Sequence, residues 1–313
     1  MPRALVTGIA GQTGSYLAEN LVRRGVETHG VVRDESPRDV DLPDLVQLHV
    51  ADLTDADAMR RLVLEVRPDV VVNLAAISSV AASWQAPAET AVVNGSSVAH
   101  LLGSVAELNA DGVRCAFVQA SSAEMFGEAA VSPQDESTPL APVNPYGASK
   151  AYAHLLVGAY RAAGVPASSV VLYNHESPRR PEAFVTRKIT AAAARISRGE
   201  QDELVLGNLA TRRDWGWAPD YAEALALVAF ADEPGDYVVG TGESHTIGEF
   251  VEAAFRRAGI PSSKGLVRSD PAFFRPVDAS ELRADSSKIR RELGWSPTRS
   301  FDEVVAAMVD ADL

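Results

Sequence analysis

Ala4-Leu5-Val6-Thr7-Gly8-Ile9-Ala10-Gly11-Gln12-Thr13-Gly14 opens the chain with a short apolar run that breaks into regularly spaced glycines. The run reads as a strand, and the amphipathic stretch behind it, residues 13–24, reads as a helix. Glycines between a first strand and a first helix let the backbone turn tightly and approach a pyrophosphate, which then rests on the helix N-terminus. The turn Gly8, Gly11, Gln12, Thr13 and Gly14 is therefore assigned to a dinucleotide. As a bare pattern Gly-x-x-Gly-x-x-Gly is weak, since structural turns produce it too. Its place between strand and helix favours the cofactor.

The alternation continues. Short β-branched runs at 27–32, 45–50, 70–74, 114–120 and 168–172 read as strands, and 56–66, 89–108 and 145–163 as helices. That order predicts an α/β protein: a Rossmann-type doubly wound parallel sheet with a smaller C-terminal α/β substrate lobe. Residues 1–175 form the expected dinucleotide domain and 176–313 mainly the substrate lobe. A segment near 207–242 is expected to return to the sheet, with a strand at 236–240. Helices are read at 184–198, 247–258 and 301–309.

Composition excludes several classes. The 313 residues carry a net charge of −13 and a pI near 4.9, with no basic run, which opposes nucleic acid as a partner. Cys115, the sole cysteine, permits no internal disulfide or cysteine-rich metal site, and no metal is expected. A reducing cytoplasm fits. No apolar run of membrane-spanning length is present, so no membrane partner is expected.

The chemistry concentrates in Ser121-Ser122-Ala123-Glu124 and Tyr146-Gly147-Ala148-Ser149-Lys150. Asn144 can cap a helix and Pro145 suits its first turn, so Tyr146 and Lys150, four residues apart, share one face. An ammonium one turn away, with a cationic cofactor ring nearby, is expected to lower the phenol from its reference of about 10 and make Tyr146 a general base. Ser122 would hold a substrate hydroxyl, and Glu124 offers a second base. An isolated Tyr-x-x-x-Lys is weak evidence. Yet only Lys150, Lys188, Lys264 and Lys288 are lysine among 29 basic residues, so where lysine persists its compact ammonium has a use.

Cofactor preference is read at the end of the second strand, where Arg33 favours NADP and Asp34 beside it argues for NAD. NADP is the expectation and NAD the alternative. Asp52 and Leu53 follow the third strand and can meet the adenine; Asp52 alternatively caps a helix.

Together the glycine turn, Asn73-Leu74-Ala75-Ala76, the Ser122 hydroxyl and Tyr146-x-x-x-Lys150 resemble the extended short-chain dehydrogenase/reductase family. Further blocks narrow the resemblance to the GDP-mannose 4,6-dehydratase family. They are Asn174-His175-Glu176-Ser177-Pro178-Arg179-Arg180, Phe184-Val185-Thr186-Arg187-Lys188-Ile189, Leu206-Gly207-Asn208-Leu209, Arg212-Arg213-Asp214-Trp215-Gly216, Phe274-Arg275-Pro276 and Glu292-Leu293-Gly294-Trp295-Ser296-Pro297. The resemblance implies a lyase that removes water from GDP-mannose by moving hydride from C4 to C6, with catalytic Ser122, Glu124, Tyr146 and Lys150. It implies that Leu74, Ala75, Ala76, His175 and Arg180 meet the cofactor. It also implies that Asn174, Val185, Lys188, Leu206, Asn208, Arg213 and Arg275 meet a GDP-sugar. A homodimer through 89–108 and 145–163 follows by the same resemblance.

The chain departs from that family in three places. The stretch Asp34-Glu35-Ser36-Pro37-Arg38 is shorter than the family's loop, which reaches a neighbouring subunit, and so argues against a tetramer. Ile77-Ser78-Ser79 replaces Gln-Ser-His, and Trp217 stands where histidine is usual. These changes keep open a related sugar such as a GDP-heptose, handled by a dehydratase, reductase or epimerase. A reductase would not need Glu124, and Cys115 is read inside the fifth strand rather than in a catalytic loop as an epimerase would require. A non-catalytic nucleotide sensor would be expected to lose Tyr146 or Lys150.

Overall fold

A computed structural model describes residues 1–34 and 40–313. Its strands begin with β1 Arg3–Thr7, β2 Glu27–Val32, β3 Gln47–Val50, β4 Val70–Asn73, β5 Ala116–Ser122 and β6 Ala167–Leu172. Then follow β7 Asn174–Glu176, β8 Leu204–Leu206, β9 Arg212–Arg213, β10 Trp215–Trp217, β11 Asp236–Val239, β12 His245–Thr246, β13 Val267–Ser269 and β14 Glu281–Leu282. Helices are α1 Gln12–Arg23, α2 Ala56–Val66, α3 Val80–Gln85, α4 Pro87–Ala91, α5 Ser97–Ala110 and α6 Pro145–Ala162. In the C-terminal part they are α7 Val185–Ser197, α8 Ala218–Ala229, α9 Ile247–Arg257, α10 Ser287–Leu293 and α11 Phe301–Asp310.

Val70-Val71-Val72 has no polar face because β4 is covered by helices on both sides. It lies in a parallel seven-stranded sheet of order β11-β6-β5-β4-β1-β2-β3. One face packs α1 and α8 through Leu17, Leu21, Tyr221 and Leu225. The other packs α2, α5 and α6 through Met59, Val63, Leu101, Val105 and Val157. The chain runs outward from β1 to β3 on one side and from β4 to β6 on the other, so the order reverses at the adjacent pair β1 and β4, and ligands of such sheets bind in the crevice outside the carboxyl ends at that switch.

A smaller cluster of α7, α9 and α11 surrounds Trp215, Phe250 and Phe255. The two parts are interwoven, because β11, late in the chain, pairs with β6 in the main sheet. Asp214 ties the crossing: its buried carboxylate accepts from the backbone of Thr241 (2.9 Å), Gly242 (2.8 Å) and Ala284 (3.2 Å), and from the Thr241 hydroxyl (2.7 Å).

Several expected boundaries need correction. The single helix at 89–108 is instead α4, a π-helical turn Val92–Ser96 and α5. The fifth strand starts later than read, so buried Cys115 precedes β5 while Ser121 and Ser122 lie within it. Helices α3, α8 and α10 carry no expectation above. Glu35 to Arg38, whose brevity argued against a tetramer, lie outside the described residues. No described helix is long and apolar enough to cross a membrane, and no described group of three or more His, Cys, Asp or Glu could hold a metal.

Candidate active site

The carboxyl ends of the strands open into a cleft of about 1090 Å³. It runs from the β1–α1 turn past β2, β4 and β5 to the start of α7. Such a volume exceeds the about 300–1,000 Å³ typical of one small ligand, so it suits two bound end to end.

The first end is built from backbone. Gly11 stands at the N-cap of α1 without a side-chain cap, which leaves N–H groups of the first turn open toward an anion. A Cβ on Gly14 would lie 2.3 Å from the Gly8 carbonyl oxygen and 2.7 Å from Ile9 Cα, so this approach needs glycine. Gln12 and Thr13 turn toward His175. The Gln12 amide donates to the His175 carbonyl (3.0 Å) and accepts from the Ser177 hydroxyl (2.8 Å). Nδ1 of His175 lies 2.8 Å from the Tyr173 carbonyl, which only accepts, so Nδ1 bears the hydrogen and Nε2 accepts from Thr13 (2.7 Å). Burial, then Arg180, pushes this imidazole down to about 4, which keeps it neutral.

Arg33, Asp34, Asp52 and Leu53 line the same end, with Leu74, Ala75 and Ala76 beneath. Asp52 is not the cap of α2: its carboxylate accepts from the Thr54 backbone (2.8 Å) and hydroxyl (2.7 Å), while Asp55 caps the helix. Thr54 holds Asp52 below the ordinary carboxylate range, and Arg33 adds to that. These features fit a nicotinamide dinucleotide: open helix N–H groups for a pyrophosphate and polar side chains at the end of β2 for a ribose.

At the middle of the cleft β5 delivers Ser122, and a 3-10 turn, Ala123–Met125, delivers Glu124. The Ser122 hydroxyl accepts from the Glu124 backbone (3.2 Å), and Ser122 and Tyr146 line the cleft together. Glu124, only 9% exposed, has Oε2 held by the Asn144 amide (2.8 Å). Its Oε1 faces Arg275 at 3.7 Å and Arg213 at 3.9 Å, and both arginines are gripped by Asp278 (3.0 and 2.5 Å). A Cβ on Gly147 would fall 2.4 Å from the Glu124 carbonyl oxygen, so the turn and α6 meet backbone to backbone.

The Lys150 ammonium donates to the Ala120 carbonyl (2.8 Å) and stands 5.9 Å from the Tyr146 ring centre. Burial pushes Tyr146 up to about 12 and the Glu124 charge adds to this, while Ser122 and Arg180 oppose it. Burial also draws Lys150 down to about 8. Without a ligand, the phenol is therefore a weak acid.

The far end holds Asn174, Val185 and Arg275 on the cleft wall. Arg180 lies there too, over the Phe184 ring (3.7 Å) and paired with the buried Glu176 (3.2 Å), which also accepts from Thr186 (2.7 Å). Arg179 points elsewhere, bonding Ser15 (3.1 Å) and Glu19 (2.5 Å) on α1. Lys188, Leu206 and Asn208 do not line the cleft. Lys188 donates to the Val205 carbonyl (2.8 Å) above the Phe273 ring, Leu206 is core, and exposed Asn208 accepts from Ala210 (3.0 Å). Trp217 likewise packs away from it, under Arg299 (3.9 Å). Ile77 and Ser79 do line it, and Asn94 in the π turn binds the Ile77 backbone N–H (2.8 Å) and carbonyl (3.0 Å).

Sequence reading missed Glu176, Asp278, Asn94 and the second role of Asn144. Only Glu176 carried a usable signal, an acid between the histidine and arginine assigned to the cofactor.

The GDP-mannose 4,6 dehydratase family matches residues 5–308. Among curated proteins, GDP-mannose 4,6 dehydratase 1 of Arabidopsis thaliana is 45% identical, covering 99% of this chain and 89% of its own length. GDP-mannose 4,6 dehydratase of Homo sapiens is 39% identical, over 99% and 91%. Among solved structures, UDP-glucose 4-epimerase of Thermus thermophilus in complex with NAD superposes with a TM-score of 0.86 at 31% identity, over 99% and 98%.

Proposed function

This chain belongs to the GDP-mannose 4,6-dehydratase family, and we propose that its cleft converts GDP-mannose to GDP-4-keto-6-deoxymannose and water as a lyase. The observation that carries this reading is Glu124, a buried carboxylate facing the same cleft as Tyr146 and Ser122. A simple oxidation at C4 needs the phenol and the hydroxyl; an elimination across C5 and C6 also needs a base for the C5 proton.

A nicotinamide cofactor, when bound, takes up the C4 hydride and gives it back at C6. Ser122 orients the C4 hydroxyl and Tyr146 removes its proton as the ketone forms. Because burial holds Tyr146 up at about 12, the phenolate needs added positive charge, which a bound nicotinamide would supply. The ketone acidifies the C5 proton. Glu124 takes that proton, the C5–C6 double bond forms, and the C6–O bond breaks as the carboxylic acid protonates the departing hydroxide. Return of hydride to C6 and of a proton to C5 closes the cycle, and the proton taken from O4 balances the one restored at C5.

Arg33 at the cleft mouth supports NADP over NAD, whereas the Thermus relative carries NAD. Arg275, on the cleft wall, suits a diphosphate through its planar fork, with buried Arg213 beside it outside the cleft lining. Lys188, Leu206 and Asn208 are proposed as the base-recognising group beside Phe273. A homodimer through α4, α5 and α6 is supported by the exposed apolar Tyr152 and Leu155 on α6. The lone buried cysteine suits a reducing cytoplasm.

The test is incubation of purified protein with GDP-mannose and NADP+ or NAD+, followed by mass spectrometry. A product lighter by one water is expected, and its absence with both cofactors overturns the reading. Ile77, an apolar residue on the cleft wall, favours testing a GDP-heptose and UDP-, dTDP- and CDP-sugars in the same series. Preferential turnover of one of these would move the substrate assignment.

A further inference from the structure

Asn144 joins the two proton-transfer groups of the cleft with one side chain. Its Oδ1 accepts from the Gly147 backbone N–H (2.8 Å), which caps α6, the helix bearing Tyr146 and Lys150. Its Nδ2 donates to Oε2 of Glu124 (2.8 Å). The cap fixes which way the amide points: an N–H requires the amide oxygen, so the NH2 must turn toward the carboxylate. An NH2 only donates, so the oxygen it meets is the one without a proton. Glu124 is 9% exposed and Asn144 only 5%, so water competes little for this bond.

We propose that Asn144 is a positioning residue for the dehydration half of the reaction: it fastens Oε2 of Glu124 and so assigns proton transfer at C5 and O6 to Oε1. This rests on the function proposed above. Among the described residues Oε1 accepts no hydrogen bond. Its nearest cations, Arg275 and Arg213, stand at 3.7 and 3.9 Å, beyond hydrogen-bond reach, and each is already held by Asp278. The proton leaving C5 forms an O–H bond on Oε1. The same O–H breaks when hydroxide leaves C6 as water, so the carboxyl group ends as a carboxylate and Oε2 never releases its amide. Because the amide also caps α6, it couples the position of the Glu124 carboxylate to the helix that carries Tyr146, beside the backbone contact of Gly147 with Glu124.

The amide's two roles separate cleanly by substitution. Asparagine, aspartate and serine cap helices about equally well. A residue that only capped α6 would therefore tolerate both Asn144→Ser and Asn144→Asp. A residue that positions Glu124 would not, since serine lacks the second donor and aspartate sets a like charge against the carboxylate. Three readouts are compared with the unaltered enzyme: the urea midpoint, the single-turnover rate of reduced-nicotinamide formation from GDP-mannose, and the rate of appearance of dehydrated product, with C5 deuterium uptake in heavy water. For Asn144→Ser the midpoint and the oxidation rate should stay within about twofold, while dehydration and C5 exchange fall about tenfold to a hundredfold, as misplacement of a reacting group does. Asn144→Asp should dehydrate more slowly still.

Equal loss of oxidation and dehydration, full retention of dehydration in Asn144→Ser, or an aspartate variant as active as serine would each overturn the proposal. If the unaltered enzyme forms no dehydrated product, the underlying function falls and this role with it. If it does and Asn144→Ser matches it, only this role falls.

Discussion

Replacing Lys150 by methionine should stabilise the cofactor-free protein while abolishing turnover. The ammonium is 3% exposed and makes one hydrogen bond, to the Ala120 carbonyl. That carbonyl also accepts from the Gln119 amide (2.9 Å), so deleting the amine leaves no orphaned acceptor. Burial lowers Lys150 from 10.5 to about 8. At about 1.4 kcal/mol for each tenfold change in ionisation, the buried charge costs the fold about 3 kcal/mol at pH 7. Loss of a charged hydrogen bond returns about 1.5 kcal/mol, for a net gain of about 2 kcal/mol. The sign follows from proton counting. Between about pH 8 and 10.5 the unfolded chain holds this proton and the fold does not, so wild-type stability rises with pH through that window. The advantage of methionine is therefore full below pH 8 and gone by pH 10.5. Urea unfolding at both ends of the window measures it. With a slope of about 3 kcal/mol per molar, the midpoint should rise by roughly 0.7 M at neutral pH. A variant no more stable than wild type at pH 7, or one whose advantage survives at pH 10.5, refutes the assignment of a desolvation cost to this amine.

Glu124→Gln should still reduce the bound nicotinamide with GDP-mannose but form dehydrated product about a hundredfold or more slowly, read by absorbance and mass spectrometry on one sample. Equal loss of both steps would deny the carboxylate its separate role. Gly14→Ala drives a methyl to 2.3 Å from the Gly8 carbonyl oxygen. Cofactor affinity, measured by calorimetry, should fall at least tenfold, and unchanged affinity would show that the turn yields. Arg33→Ala should weaken NADP+ about tenfold more than NAD+, since a phosphate loses its guanidinium while a free ribose loses little; equal weakening would remove the basis for preferring NADP.

The sheet was legible because burial leaves a periodic trace. Val70-Val71-Val72 and Leu5-Val6 have no other use than a strand covered on both faces. Tyr146 and Lys150 were legible through their spacing and Asn144 through its capping position, since both are local along one helix. What could not be read is whatever depends on contacts between distant segments. Asn144 shows its capping oxygen in the sequence, but its nitrogen acts on a carboxylate of another element. Spacing brings Tyr146 and Lys150 to one face, but it does not show that the Ala120 carbonyl of a distant strand takes the ammonium or that burial leads the shifts of both groups. The helix read through 89–108 was interrupted because Asn94 turns inward to the Ile77 backbone and the Ser149 hydroxyl. Two-residue strands such as β9 and β12 are too short to leave any period.

Strand β11 has a consequence for how the chain can be made and cut. It supplies the outer neighbour of β6 through the register Asp236–Ser169 to Val239–Leu172. Until the ribosome has released the chain through Val239, the nascent sheet carries β6 as a naked edge whose residues are all buried in the finished protein. A fragment ending near residue 175 would keep that edge for good, and unpaired apolar edges recruit other strands. A fragment of residues 1–175 should therefore aggregate when expressed alone. Coexpression with the missing remainder should restore it to solution only if β11 comes along.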